Sequence, residues 1–202
     1  MDNIIHTFNE MKQLFYHELT HAAHYAALGD TWYRTFVTAE ENEIGYTAFN
    51  DPAASPYGRK TSSDAPIIAL GESWAYHIGE YLADKRYGFT SSPYGEQFTN
   101  YHNGDITGLS SHLVALENYD PNLINYPFDW IPKGLYYDMI DTRNETFPPV
   151  NDNVSGFTNQ NFFNAFNSSI TTLAGYKQNL ISQNSGNPTI NNVSSLFQQY
   201  GY

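Results

Sequence analysis

Two stretches of the chain repeat apolar residues with a helical period, and each is followed by glycine. The first covers residues 9–28 (NEMKQLFYHELTHAAHYAAL). Leu14, Phe15, Leu19, Ala22 and Ala26 recur at helical spacing, Asn9 can cap the start, and Gly29 marks the end. The second runs from about 65 to 87 (APIIALGESWAYHIGEYLADKRY), with Ser63 or Asp64 as cap, Pro66 in the first turn and Gly88 as the stop. Between them, DTWYRTFV (30–37) is aromatic and β-branched, which fits either a short strand or a continuing helix. Residues 38–64, with EENE, Gly45, NDP, SPYG and SSD, read as a loop-rich stretch, and GYTAF (45–49) as a candidate strand.

Further helices are expected over 105–119 and 133–141, near 158–166, and over 169–182 and 190–200. A polar loop (89–104), the proline-punctuated YDPNLINYPFDWIP and the loop QNSGNPT (183–189) separate them. There is no internal repeat, coiled coil or domain-scale linker. The pattern predicts a mainly α fold with little β structure: a helical domain over 1–150, and a helical C-terminal extension over 151–202 packed on the same domain.

Composition narrows the classes. The chain has 202 residues, 41% of them apolar and 16% aromatic, enough for a folded core. Its formal charge of −12 repels phosphate backbones, so nucleic acid is not an expected partner. It has no cysteine, so any zinc site must use histidine and carboxylate. No segment approaches the length of a membrane span. The N-terminal MDNIIHTFNEMKQ is polar and has no signal-peptide pattern, so the chain is expected to be a processed form or part of a longer precursor. Abundant Asn, Ser, Thr and Tyr with little Lys point to an exported bacterial protein, secreted, periplasmic or on the cell surface. Oligomeric state is not encoded in any recognisable pattern.

The candidate chemistry lies at residues 17–24, HELTHAAH, which hold three of the seven histidines. On a helix, residues i and i+4 share a face one turn apart, so His17 and His21 can reach one ion. Glu18 lies about 100° around the axis from His17 and is placed to act as general base on an attacking water. Independent positions would produce such a motif roughly 0.01 times in a chain of this composition. His24 shares the face but sits about 10 Å along the axis from His17, too far for all three to meet one ion. A supporting or structural role is expected for it.

HELTH resembles the zinc-binding helix of the zincin metallopeptidases, in the wording of the thermolysin-like gluzincins. The resemblance implies that His17 and His21 bind Zn²⁺ and that Glu18 is the general base. The metzincin completion would need Gly at 24 and His at 27, where this chain has His24 and Ala27. The gluzincin completion is a glutamate on a second helix, and residues 65–87 offer Glu72 and Glu80. Glu80, with Asp84 four residues on, matches the E-x-x-x-D wording. Glu72 is followed by the small residues Ser73 and Ala75, as in the wider gluzincin pattern. It follows the apolar IIALG, where a carboxylate is costly without a partner, and is the favoured ligand. Glu80, near Lys85 and Arg86, fits a helix-surface glutamate better. His77 points away from Glu72 and is expected to pack or face solvent.

The implied core is zincin-like, with the HExxH and Glu-ligand helices crossed. The sheet that usually precedes the HExxH helix would lie upstream of the chain, or a segment such as 44–50 would supply its edge strand. WIPKGLYYDMID resembles a downstream helix of bacterial zinc peptidases, in which Asp138 and Asp141 could cap, brace the zinc shell or bind calcium, a plain structural role being favoured. Tyr76, His102, His112, Tyr137 and Arg143 remain open as oxyanion donors. The implied activity is zinc-dependent hydrolysis of peptide bonds by Glu-assisted attack of a zinc-bound water on a peptide or protein substrate. The alternatives are a non-catalytic zincin-like surface protein that binds peptides or glycans, and a metal-dependent hydrolase of other substrates.

Overall fold

The computed structural model describes residues 8–50, 57–87, 130–140 and 153–202. Seven α-helices occupy these residues: α1 (Phe8–Leu28), α2 (Asp30–Asn50), α3 (Ala65–Tyr87), α4 (Leu135–Ile140), α5 (Asn159–Ala165), α6 (Leu173–Gln183) and α7 (Val193–Gln199), the last preceded by a 3₁₀ turn over Ile190–Asn192. The described part is mainly helical, without a strand. The helix expected over 105–119 lies outside the described residues.

α1 and α2 are separated by Gly29 alone, which adopts φ +87°, a conformation costly for a residue with a Cβ. α2 corrects the sequence reading in three places. Residues 30–37 are helical, 38–50 are helix rather than loop, and 45–49 is not a strand, so 44–50 does not supply an edge strand either. Its buried residues, Trp32, Phe36, Ala39, Glu43 and Thr47, recur with a helical period, so packing on one face overrides the β-prone composition of DTWYRTFV. The N-terminus of α3 is capped by Ser62, whose Oγ accepts from the Asp64 and Ala65 amides, both at 3.1 Å, rather than by Ser63 or Asp64.

α1 packs chiefly against α3. Gln13 meets Glu80, His17 meets Gly79, and His21 meets Glu72, so the two helices run antiparallel, in contact over more than two turns. Gly79 permits this approach: a Cβ there would lie 3.1 Å from the Gln13 carbonyl and from the His17 backbone nitrogen and Cβ. The face of α1 turned inward is polar, with His17, Thr20, His21 and His24 buried above Leu28. Leu14, Phe15 and Leu19, from the apolar stripe of the sequence reading, are exposed, as are Ala22 and Ala26.

The C-terminal helices enter the same core. Phe162, Phe166, Leu173, Tyr176 and Phe197 cluster with Trp32, Phe36, Trp74 and Tyr136. Trp32 Nε1 donates to the Ile170 carbonyl at 2.6 Å, and Tyr200 Oη donates to Asp138 at 2.7 Å. Buried Asp138 is thus tied to the C-terminal helices. Asp141 lies outside the described residues.

Candidate metal centre

Three side chains expected to bind metal come together between α1 and α3. The Nε2 atoms of His17 and His21 are 3.1 Å apart, Glu72 Oε1 is 3.1 Å from His21 Nε2, and Glu72 Oε2 is 3.3 Å from His17 Nε2. His17 and His21 are 7% exposed and Glu72 2%, so these atoms meet with little water to separate them. With neutral imidazoles, the converging lone pairs repel unless a proton or a cation lies among them. Four ligands at about 2.05 Å from a tetrahedral zinc are about 3.4 Å from one another. The observed separations fit that spacing, and two imidazoles with a carboxylate are a zinc-type donor set. Burial raises the Glu72 pKa, but hydrogen bonds and charge interactions with His17 and His21 outweigh it and hold the carboxyl well below the usual range.

Small residues bring the three side chains together. Ser73 and Ala75, beside Glu72, are fully buried. At Gly71 a Cβ would stand 2.5 Å from the Phe36 ring, so the glycine admits that phenyl group. Phe36 stacks on His21 at 5.2 Å and 27°, pinning the imidazole from the side of α2. Glu18, adjacent to His17, is exposed and open to water.

The remaining candidates separate clearly. His24 is 2% exposed and packs against His21, Trp32 and Phe166 at 5.7, 5.4 and 5.6 Å, outside the group of converging ligand atoms. Burial, then the charge of His21, lowers its pKa to about 3. Glu80 is not a surface residue. It is 9% exposed and accepts from Gln13 at 2.9 Å and from Tyr137 at 3.1 Å, a separate polar link between α1, α3 and α4. His77 is fully buried, pairs with Asn159 at 2.6 Å and sits among aromatic rings. Tyr76 stands edge-on to His17 at 4.6 Å, its hydroxyl pairs with that of Tyr57, and the Lys133 ammonium lies 3.6 Å from its ring centroid. His102, His112 and Arg143, and the side chain of Asp84, lie outside the described residues.

Sequence reasoning missed Phe36, Tyr57 and Glu40. Glu40, on α2, lies in the field of Glu72 and of Glu18. Burial, then the Glu72 charge and the hydrogen bond with it, push its pKa up to about 9. The signal was present as the helical spacing of Phe36 and Glu40, one turn apart, but it was hidden by the loop reading of 38–64. No protein-family model, curated protein or solved structure matches this chain, so its chemistry rests on the arrangement of these side chains.

Proposed function

We propose that the chain is a zinc-dependent metallopeptidase of gluzincin type, in which His17, His21 and Glu72 hold Zn²⁺ and Glu18 is the general base. The observation that carries the reading is the buried convergence of the two imidazoles and one carboxylate at 3.1–3.3 Å, with the Glu18 carboxylate exposed on the adjacent position. Zinc held there supplies Lewis acidity toward the scissile carbonyl and toward water. Glu18 takes a proton from the attacking water and returns it to the leaving amine as the C–N bond breaks. The Tyr76 ring stands edge-on to His17 and near the Lys133 ammonium, and its hydroxyl, paired with that of Tyr57, is the candidate donor to developing negative charge on the carbonyl oxygen.

The test combines metal content with peptide hydrolysis in ¹⁸O-labelled water. Wild type is expected to retain one zinc and to place the label in the new carboxylate. Glu18→Gln should keep the zinc and lose hydrolysis, and Glu72→Ala should lose both. Zinc retained in Glu72→Ala but lost in Glu80→Ala would overturn the ligand assignment. Zinc bound without hydrolysis across a peptide library would favour the non-catalytic reading.

A further inference from the structure

The apolar stripe of α1 is turned away from the core. At 100° per residue, Met11, Phe15, Leu19, Ala22 and Ala26 fall between about 120° and 200° around the axis from His17. Met11, Phe15 and Leu19 are 56%, 60% and 47% exposed, and both alanines are exposed as well. From residue 11 to residue 26 the stripe runs about 24 Å along the helix. Lys12 and Glu18 border it on opposite sides, and no charged residue interrupts it over that length. A continuous apolar surface of this kind marks a place where another surface docks.

The order of sizes along the stripe identifies the partner. Large residues fill its N-terminal half and alanines its C-terminal half. Phe15, Leu19, Ala22 and Ala26 follow one another at steps of four, three and four, the spacing of a two-helix seam. Laid antiparallel about a two-fold axis, two copies set Phe15 opposite Ala26 and Leu19 opposite Ala22, and the same contacts recur beyond the axis. Every layer then joins one large side chain to one small one, which lets the layers interdigitate. A parallel pair would set Phe15 against Phe15 and Ala26 against Ala26, overfilling one end and leaving the other loose. It would also crowd the cations at the N-terminal half, where Lys12 lies 4.5 Å and Arg86 5.7 Å from the centroid of the Tyr87 ring. The antiparallel pair keeps those charges apart.

We propose that the outer stripe of α1 is the interface of a two-fold symmetric dimer of this chain, in which the two α1 helices run antiparallel and Phe15 of each copy packs on Ala26 of the other. One helix–helix contact about 24 Å long is small beside the roughly 800 Å² per partner of a standard interface, so the dimer should dissociate in the micromolar range. Sedimentation equilibrium from about 1 to 300 μM reads the mass across that range. Wild type is expected to pass from monomer to dimer. Ala26→Glu places a charge in the seam of each copy and should stay monomeric. Phe15→Ala removes two rings from the dimer and should weaken it by about 100-fold. Ala26→Phe sets ring against ring and should weaken it too. The double variant Phe15→Ala/Ala26→Phe exchanges large for small, keeps one ring in each outer layer and should recover most of the wild-type affinity. These positions are exposed, and circular dichroism checks that each variant keeps its helices. Phe163→Glu, at a 40% exposed position of α5, is the control and should leave the dimer intact. A wild type that is monomeric throughout would overturn the proposal and assign the stripe to another protein or to another part of this chain. A dimer that survives Ala26→Glu would also overturn it, as would one broken by Phe163→Glu alone, or a double variant no stronger than Phe15→Ala.

Discussion

His24 gives the protein a pH dependence that can be isolated. Its ring is buried against His21, Trp32 and Phe166, and its pKa in the folded chain falls from 6.5 to about 3. Between those values the unfolded chain binds a proton that the folded chain refuses. The contribution to stability is therefore complete above about pH 6.5 and is lost progressively as the pH falls toward 3. Each pH unit in that window is worth about 1.4 kcal/mol, so lowering the pH from 7.5 to 4.5 should remove about 3 kcal/mol through His24 alone. A cation at His17, His21 and Glu72 would repel a charged His24 and act in the same direction. His24→Leu removes the titrating ring, together with two buried nitrogens that have no hydrogen-bond partner among the described residues. Urea unfolding of both proteins at pH 7.5, 6.0 and 4.5 provides the assay. Acid effects on groups that do not interact with His24 are common to both chains and cancel in the difference, whereas the charges of His21, His17 and Glu72 act on His24 and are part of the effect read. The leucine variant should gain on wild type by about 3 kcal/mol over this range. Parallel curves would refute the claim that His24 is buried neutral.

Other expectations concern the contacts around the centre. Trp32→Phe leaves the Ile170 carbonyl without its 2.6 Å donor and should cost about 1–3 kcal/mol in urea unfolding, with fluorescence and circular dichroism reporting one transition. Gly71→Ala drives a methyl group to within 2.5 Å of the Phe36 ring and should cost about 1–3 kcal/mol in thermal or urea unfolding. Free zinc at about a thousandfold over its dissociation constant should stabilise wild type by about 4 kcal/mol and leave Glu72→Ala unmoved, a difference a thermal-shift titration reads directly.

The sequence was most legible where local signals agree with packing. α3 begins and ends within the stretch marked out by Asp64, Pro66 and Gly88, and α1 stops before Gly29. The inward face of α1 was harder to read. Its hydrophobic periodicity marks Leu14, Phe15 and Leu19, all at least 46% exposed, because the inward face carries His17, His21 and His24 instead. α2 was obscured by composition: aromatic and β-branched residues followed by EENE look like strand and loop. The helical recurrence of Trp32, Phe36, Ala39 and Glu43 becomes evident only once those positions are known to be buried.

The choice between Glu72 and Glu80 shows where local reasoning stops. Burial was the reason to favour Glu72, yet both carboxylates are buried on the same helix. They differ in what they face across α1. Two helical turns of α3 separate Gln13 and Tyr137, which donate to Glu80, from the imidazoles that meet Glu72. That difference is set by the height at which α3 docks against α1, and Gly79 helps to set it by admitting the His17 backbone. A motif can name the ligands that one helix offers. Which carboxylate completes them depends on the register between helices, which small residues such as Gly79 determine without themselves carrying any chemistry.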